Sequence, residues 1–511
     1  MIQLKGKSLF RASTTLAAVG FLLFGYDQGV MSGILPNQHF LQLMGYPSSV
    51  MVGFTVAIYE LGCMLGALIT GRLSDMVGRK NTIRIGCIIL IVGAVLQTAT
   101  QNLVMTIIAR VIAGVGNGMN TATIPIYQSE ISPPKSRGAH ICFECAILVV
   151  GIGIAYWLEY GLHFVGGEFA WRFSLAFQLI FALILVFGTF ILPETPRWLV
   201  AHGRDEDAKV VLARLWTDGD TNHPRCVSEY EEIKEAVDFE RREDISSYKD
   251  LFTKGKYNNR KRVLLGMLSQ IIQQLGGINV TTYYLTDVMS QAGMEPNMAM
   301  LMAGVDSIIY LFGAMIPVFM VERVGRRKIM LWGLVLQVVT LACVGGCQKA
   351  STDGIKAAGS AAVAFTMLYN FFFGASWLSM SWLYPAEIFS TGLRAKGNSL
   401  STAANWLGNF VVAMIAPVLF QYLTFWTYIL FAGFNVLFIP MVYFWFPETK
   451  GLSLEQIEML FAVEAIQDDA RSIGSEREHH NSDNEKKNDV EHIGQNFVTH
   501  KEEVARPNEK I

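Results

Sequence analysis

Runs of about 20 apolar residues follow one another along this chain, the length an α-helix needs to cross a hydrocarbon core of about 30 Å. Twelve such runs lie near 14–34, 51–71, 83–100, 104–127, 140–160 and 171–192, then 263–289, 298–320, 329–347, 358–384, 397–420 and 424–446. Charged residues make up only 16% of the 511, where a soluble chain has about 25%. The expected fold is an all-α polytopic membrane protein. The opening "MIQLKGKSLFRAS" is a short basic lead into the first span with no small-residue cleavage pattern, so no removed signal peptide is expected.

Lysine and arginine set the orientation. One group of connections carries Lys5, Lys7, Arg11, Arg72, Arg79, Lys80, Lys135, Arg137, Arg323, Arg326, Arg327, Lys328, Arg394 and Lys396. The opposite loops near 35–50, 98–104, 290–297 and 421–423 carry none, and Arg172, Lys349 and Lys356 are the outer exceptions. By the positive-inside rule both termini are cytoplasmic. Between spans six and seven a charged stretch interrupts the pattern, and "DEDAKVVLARLW" within it has helical apolar spacing. The expected units are therefore 1–192 (six spans), 193–262 (a cytoplasmic helical insert), 263–446 (six spans) and 447–511 (a mostly disordered tail).

The chain also repeats itself. "DMVGRK" at Asp75–Lys80 returns as "ERVGRR" at Glu322–Arg327, 247 residues later. Glu130 stands seven residues before Arg137, as Glu387 does before Arg394, at an offset of 257. "PET" occurs at Pro193–Thr195 and again at Pro447–Thr449, at an offset of 254. Three signatures at nearly one offset indicate a duplicated six-span half, the parallel-repeat plan of rocking secondary transporters. The acids Asp75, Glu130, Glu322 and Glu387 recur with the bases Arg79, Arg137, Arg326 and Arg394 at neighbouring helix ends. Ion pairs there would latch the cytoplasmic side shut. Their total is held to about a few kcal/mol, or the equilibrium could not reverse.

In span seven, "SQIIQQLGGINVTTYY" puts Gln270, Gln273, Gln274 and Gly277 at i, i+3, i+4 and i+7, on one helix face. Amides donate and accept, which matches hydroxyls without adding charge, and in lipid they are expensive unless they face a cavity. Gly276-Gly277 weakens the helix just beyond. Asn405 and Asn409 are one turn apart in span eleven. In span one, Asp27 lies 13 residues beyond Thr14, about 20 Å up at 1.5 Å per residue. The same rise puts Arg110 about 9 Å and Glu60 about 13 Å below the outer edge, close to the depth of Asp27. A carboxylate at that depth calls for a partner or a cavity. One that moves between an arginine and apolar surroundings can take up and release a proton.

"GRLSDMVGRK", "VERVGRR", "PETPRWL", "QQLGGIN" and "PETKG" resemble the sugar porters of the major facilitator superfamily, from about residue 14 to 460. "YELGC" and "TIPIYQSE" resemble fungal members, glycerol–proton symporters among them. The resemblance implies two six-helix pseudo-repeats and a sugar site at Gln273, Gln274, Asn279 and Asn409. It also implies a closing tryptophan at Trp382 and gate aromatics at Tyr283 and Tyr284. It further implies proton coupling through Asp27 and Arg110, and Glu60 joins them as a candidate by its depth alone. In place of the family's glutamine in span five stands Cys145, with Glu144 beside it, and its asparagine in span eight is Tyr310. A hexose therefore does not follow automatically.

The expected function is proton-coupled symport of a hexose or pentose by alternating access. Alternatives are a facilitative uniporter, a glycerol or polyol–proton symporter, and a transporter-like sugar sensor. One proton moving through 100 mV supplies about 2.3 kcal/mol, enough for roughly 50-fold accumulation. No nucleotide loop or nucleophile–base arrangement points to an enzyme. Cys142 and Cys145 form a CxxC inside an apolar run with no second pair, which reads as small buried residues and not a metal site. No cofactor or nucleic acid is implied. The expected partners are a small sugar or polyol, protons and the lipid of the plasma membrane, with the monomer as the working unit.

Overall fold

The computed structural model describes residues 4–132, 137–242, 248–253, 258–389, 393–452, 456–457 and 459–461. The polar tail beyond 461, expected to be disordered, lies outside the described residues. The first half contains α1 (Gly6–Ile34), a short α2 (Gln38–Leu43), α3 (Ser49–Val77), α4 (Arg79–Thr98), α5 (Leu103–Ile131), α6 (Arg137–His163) and α7 (Gly167–Gly188). The insert contains α8 (Pro196–Ala201), α9 (Asp205–Trp216), α10 (Pro224–Arg242) and α11 (Tyr248–Leu251). The second half contains α12 (Asn259–Leu275), α13 (Ile278–Tyr283), α14 (Leu285–Gln291), α15 (Pro296–Val324) and α16 (Arg326–Thr352), then α17 (Lys356–Gly374), α18 (Trp377–Ile388), α19 (Arg394–Leu423) and α20 (Trp426–Trp445).

Eleven helical stretches among the described residues are long and apolar enough to cross a membrane, with α17 and α18 running on as one. The remaining crossing is broken. α12 stops at Leu275, and Gly277 turns the chain at φ 103°, a left-handed conformation that glycine adopts without strain. The carbonyl of Gly276, freed by the break, accepts from Tyr369 Oη at 2.9 Å and Asn435 Nδ2 at 3.0 Å. α13 and α14 then complete the span. The result is the 12-helix major facilitator fold of two six-helix pseudo-repeats with a helical insert.

Within the first half, α3 and α5 approach closely because glycines face one another. A Cβ on Gly62 or Gly66 would overlap the backbone of Val111 or Val115, and one on Gly118 the backbone of Cys63. Such small-residue contacts replace hydrophobic driving force between helices in lipid. The halves meet chiefly through α3 on α19 and α6 on α15. Large apolar side chains such as Phe187, Phe312, Phe319 and Trp332 stand exposed on the outside of the bundle, as a lipid-facing surface requires.

The insert packs on the first half. α9 buries Ala208, Val211, Leu212 and Leu215 on one face, with Asp205, Glu206 and Asp207 in its first turn and Arg214 in its last, as the helix dipole favours. Trp198 Nε1 donates to the Asp75 carbonyl at 2.9 Å, and Arg214 reaches the Leu4 carbonyl at 3.2 Å. α2 was not expected from the sequence. It is six residues long, and its start is held by Asn37 Oδ1 accepting from the backbone of His39 and Phe40.

Candidate functional site

The repeated motifs meet at the insert side of the bundle, and there each does a definable job. Gly78 and Gly325 take φ of 90° and 101° at the turns before α4 and α16. Those turns bring the "PET" glutamates onto the helix starts. Glu194 accepts from the backbone N–H of Arg79 at 2.9 Å and Lys80 at 3.2 Å, and Glu448 from that of Arg326 at 2.8 Å and Arg327 at 3.1 Å. A carboxylate there satisfies otherwise orphaned donors and faces the positive end of the helix dipole.

The side chains of the two arginines then gather the acids. Arg79 pairs with Glu130 at 3.2 Å and Asp75 at 3.4 Å; Arg326 pairs with Glu387 at 2.6 Å and Glu322 at 3.0 Å. Each cluster ties helices of its own half. One ion pair among the described residues that crosses between halves is Lys396 Nζ on Asp75 Oδ2 at 2.6 Å, a partner that sequence reading took only as a topology charge. Arg394 is buried and donates to the Phe389 carbonyl at 3.4 Å. The side chain of Arg137 lies outside the described residues. Further contacts close the seam. Ser399 Oγ on α19 donates to the Ala67 carbonyl on α3 at 2.7 Å, and a Cβ on Gly71 would overlap the hydroxyls of Tyr248 and Ser399. The insert-side entrance is shut.

Midway through the bundle, a cavity of about 40 Å³ lies between the halves. Gln273, Gln274, Asn279, Asn405, Asn409, Trp382 and Tyr310 line it from the second half, and Phe24, Gln28, Leu148 and Ile152 from the first. The amides are fixed by one another. Asn405 Nδ2 donates to Gln270 Oε1 at 2.6 Å and Gln273 Oε1 at 2.7 Å, and Asn279 donates to Gln274. Trp382 sits edge-to-face against Phe21 and Phe24, at ring separations of 6.3 and 5.8 Å. Two polar atoms, Gln28 Nε2 and Asn409 Oδ1, have no hydrogen-bond partner among the described residues. Gln28 was missed from sequence, although an amide in an apolar run next to Asp27 was signal enough. A volume near 40 Å³ holds about one water, against roughly 300–1,000 Å³ for small-molecule sites, so this is a closed state. Tyr284 and Cys145 do not line it. Tyr284 Oη is committed to the Ala413 carbonyl at 2.9 Å.

Beside the cavity stand the charged groups. Asp27, Glu60 and Arg110 are all buried. Asp27 and Arg110, placed at similar depth by helical rise, form no ion pair with one another among the described residues. Asp27 Oδ2 instead accepts from Tyr59 Oη at 2.7 Å. The Arg110 guanidinium lies 5.0 Å over the Tyr59 ring and donates to the Val56 carbonyl at 2.8 Å. Helical rise gives equal height but not equal azimuth, and Tyr59 occupies the space between. Glu60 meets Tyr283 from the other half, with Oε1 2.5 Å from Tyr283 Oη. The same hydroxyl is 2.6 Å from Gln28 Oε1 and accepts from Asn409 Nδ2 at 3.1 Å.

Three further carboxyls are buried, of which the sequence reading named Glu144 as the neighbour of Cys145 but neither Asp306 nor Glu159. Asp306 accepts from Asn370 Nδ2 at 2.7 Å, and Asn370 Oδ1 accepts from Thr281 at 2.9 Å, which ties α15 and α17 to α13. Glu159 accepts from the Gly33 N–H at 2.9 Å. Both oxygens of Glu144 lack a partner among the described residues.

Residues 13–461 match the family model described as "Sugar (and other) transporter". The chain is 41% identical over 455 residues to the MFS-type transporter oryC of Aspergillus oryzae, covering 87% of this chain and 84% of that one. It is 34% identical over 475 residues to the sugar transporter STL1 of Saccharomyces cerevisiae, covering 90% and 82%. Among solved structures it superposes on the proton:xylose symporter XylE bound to 6-bromo-6-deoxy-D-glucose with a TM-score of 0.77 and 25% identity, covering 89% of this chain and all of that one.

Proposed function

Since the chain belongs to the sugar transporter family, the sugar porters of the major facilitator superfamily, we propose that it carries a monosaccharide, hexose or pentose, together with a proton by alternating access. The observation that carries this reading is the Tyr283 hydroxyl. It touches a buried carboxyl, Glu60, on one side and two cavity amides, Gln28 and Asn409, on the other. A proton on that carboxyl and a solute in that cavity therefore bear on one side chain, at the end of α13 in the broken span. Asp27, Tyr59 and Arg110 form the adjoining charged group, and Gln273, Gln274, Asn279, Trp382 and Asn409 the solute group.

In this reading the insert side is cytoplasmic, with both termini there, in the plasma membrane. The units 1–192 and 263–446 rock about the cavity as monomer halves, and 193–262 and 447–511 lie in the cytoplasm. A polyol is the second reading, favoured by Tyr310 in the cavity wall, where an aromatic ring takes space a ring sugar would use. The test is uptake by proteoliposomes of tritiated D-glucose, D-xylose and glycerol under an imposed pH gradient, with internal pH followed. Accumulation above the external concentration with matching acidification supports symport. Equilibration without accumulation makes the protein a uniporter.

A further inference from the structure

A second cavity lies elsewhere, at the end of the bundle opposite the insert, and holds about 550 Å³. The ends of α1 and α6 and the start of α7 wall it on one side, with α14 and the start of α15 on the other. Its volume falls within the roughly 300–1,000 Å³ typical of small-molecule sites. It adjoins the broken span, since α14 follows directly on the turn at Tyr283 and Tyr284.

Two side chains in its wall carry buried polar atoms with nothing to bond. Glu159 is 6% exposed; its Oε2 takes the Gly33 N–H, and its Oε1 has no partner among the described residues. Trp171 is 1% exposed and its indole N–H is likewise unpartnered. One face of that indole is in use. The Arg172 guanidinium lies 4.2 Å over the ring, and Phe40 meets the indole in an edge-to-face contact at 5.5 Å. Ser174, Thr286 and Ser290 add hydroxyls to the same wall.

The chemistry of the unpartnered atoms selects the ligand. A carboxyl oxygen calls for a donor and an indole N–H for an acceptor. A bare cation would answer the first and an anion the second. A hydroxyl answers both, and several hydroxyls on one neutral frame answer them together. We propose that this cavity is a second binding site for a polyhydroxylated solute, outside the gate formed by α13 and α14, where the solute is held next to the central site. The proposal rests on the carrier reading above.

Equilibrium binding of tritiated D-glucose, D-xylose and glycerol to the purified full-length protein tests it. The variants are Trp171→Phe, which keeps the ring and removes the N–H, Glu159→Gln, and a central-site pair, Gln273→Ala with Asn409→Ala. The expected result is that the central-site pair retains one of the two solute molecules bound by the unaltered protein. Adding Trp171→Phe then weakens that remaining molecule about five-fold, the value of one hydrogen bond. If the unaltered protein binds a single molecule and the central-site pair binds none, the outer site does not exist and the carrier reading stands. Residual binding that neither Trp171→Phe nor Glu159→Gln weakens also overturns it. Should the unaltered protein bind none of the three probes, both readings fall together.

Discussion

Tyr283 and Glu60 belong to different halves of the molecule, yet the tyrosine oxygen stands 2.5 Å from the glutamate carboxyl. The same oxygen is 2.6 Å from Gln28 Oε1. A tyrosine hydroxyl has one proton to give. Either Glu60 brings a proton of its own, or Gln28 turns its amide to present N–H instead of oxygen. The two arrangements differ by one proton and by what Gln28 offers the cavity.

Glu60→Gln should therefore fix the protonated arrangement. Uphill accumulation should be lost while exchange of labelled for unlabelled solute continues, as measured by counterflow in proteoliposomes. Tyr283→Phe should weaken solute binding about five-fold, by loss of roughly 1 kcal/mol of hydrogen bonding. Full accumulation by Glu60→Gln would remove this carboxyl from the coupling machinery.

Asp27→Asn should likewise abolish uphill uptake and proton movement but keep exchange. Because Asp27 is bonded by Tyr59 and not by Arg110, Tyr59→Phe should shift the pH at which uptake is half-maximal. A direct pair with arginine would leave that profile unmoved. Uptake recorded between pH 4 and pH 8 decides between them.

Gln273→Ala, Asn279→Ala and Asn409→Ala should each weaken binding by about 1 kcal/mol or more, with membrane insertion intact. Asn405→Ala should do the same indirectly, since Asn405 Nδ2 holds both Gln270 and Gln273 in place. Unchanged solute affinity in all four would move the solute site elsewhere.

Lys396→Ala should shift the population toward a state open on the insert side. The pair it makes with Asp75 is partly exposed, with side chains 14% and 35% accessible, so about 1 kcal/mol and no more than a five-fold shift is expected. Thiol labelling of a cysteine placed at Ser399 reads that opening.

Glu194→Ala and Glu448→Ala should each lower stability by about 1 kcal/mol, as loss of a helix cap does, seen as earlier thermal unfolding in detergent. Solute affinity should hold, since neither residue lines the cavity.

How much of this was open to reading depended on range. The spans were legible because each must supply its own apolar length, and the break in the seventh because two adjacent glycines announce it. The duplication was legible because motifs recur at one offset, although it takes the folded chain to show that Gly78 makes room for Glu194 and Gly325 for Glu448. The depths of Asp27, Glu60 and Arg110 followed from helical rise, but which faces which did not. Tyr59, three residues from Val56 and one from Glu60, stands between Asp27 and Arg110. Lys396 and Asp75 are 321 residues apart, and a lysine at a helix end already had a sufficient explanation in topology. α2 escaped because one capping asparagine and six residues give no periodicity.

The glutamate caps have a consequence for the order in which the protein is made. Glu194 joins the exit of the sixth crossing to the turn between the second and third, which closes the first half on itself. Synthesis from the N-terminus reaches Glu194 before any residue of α12 exists. The first half can therefore complete its ring while the ribosome is still translating α8 to α11, in line with domains folding as units in order of synthesis. Seen this way, the insert is also an interval. It separates two folding events, and the second ring waits for Glu448, three residues beyond the end of its last helix.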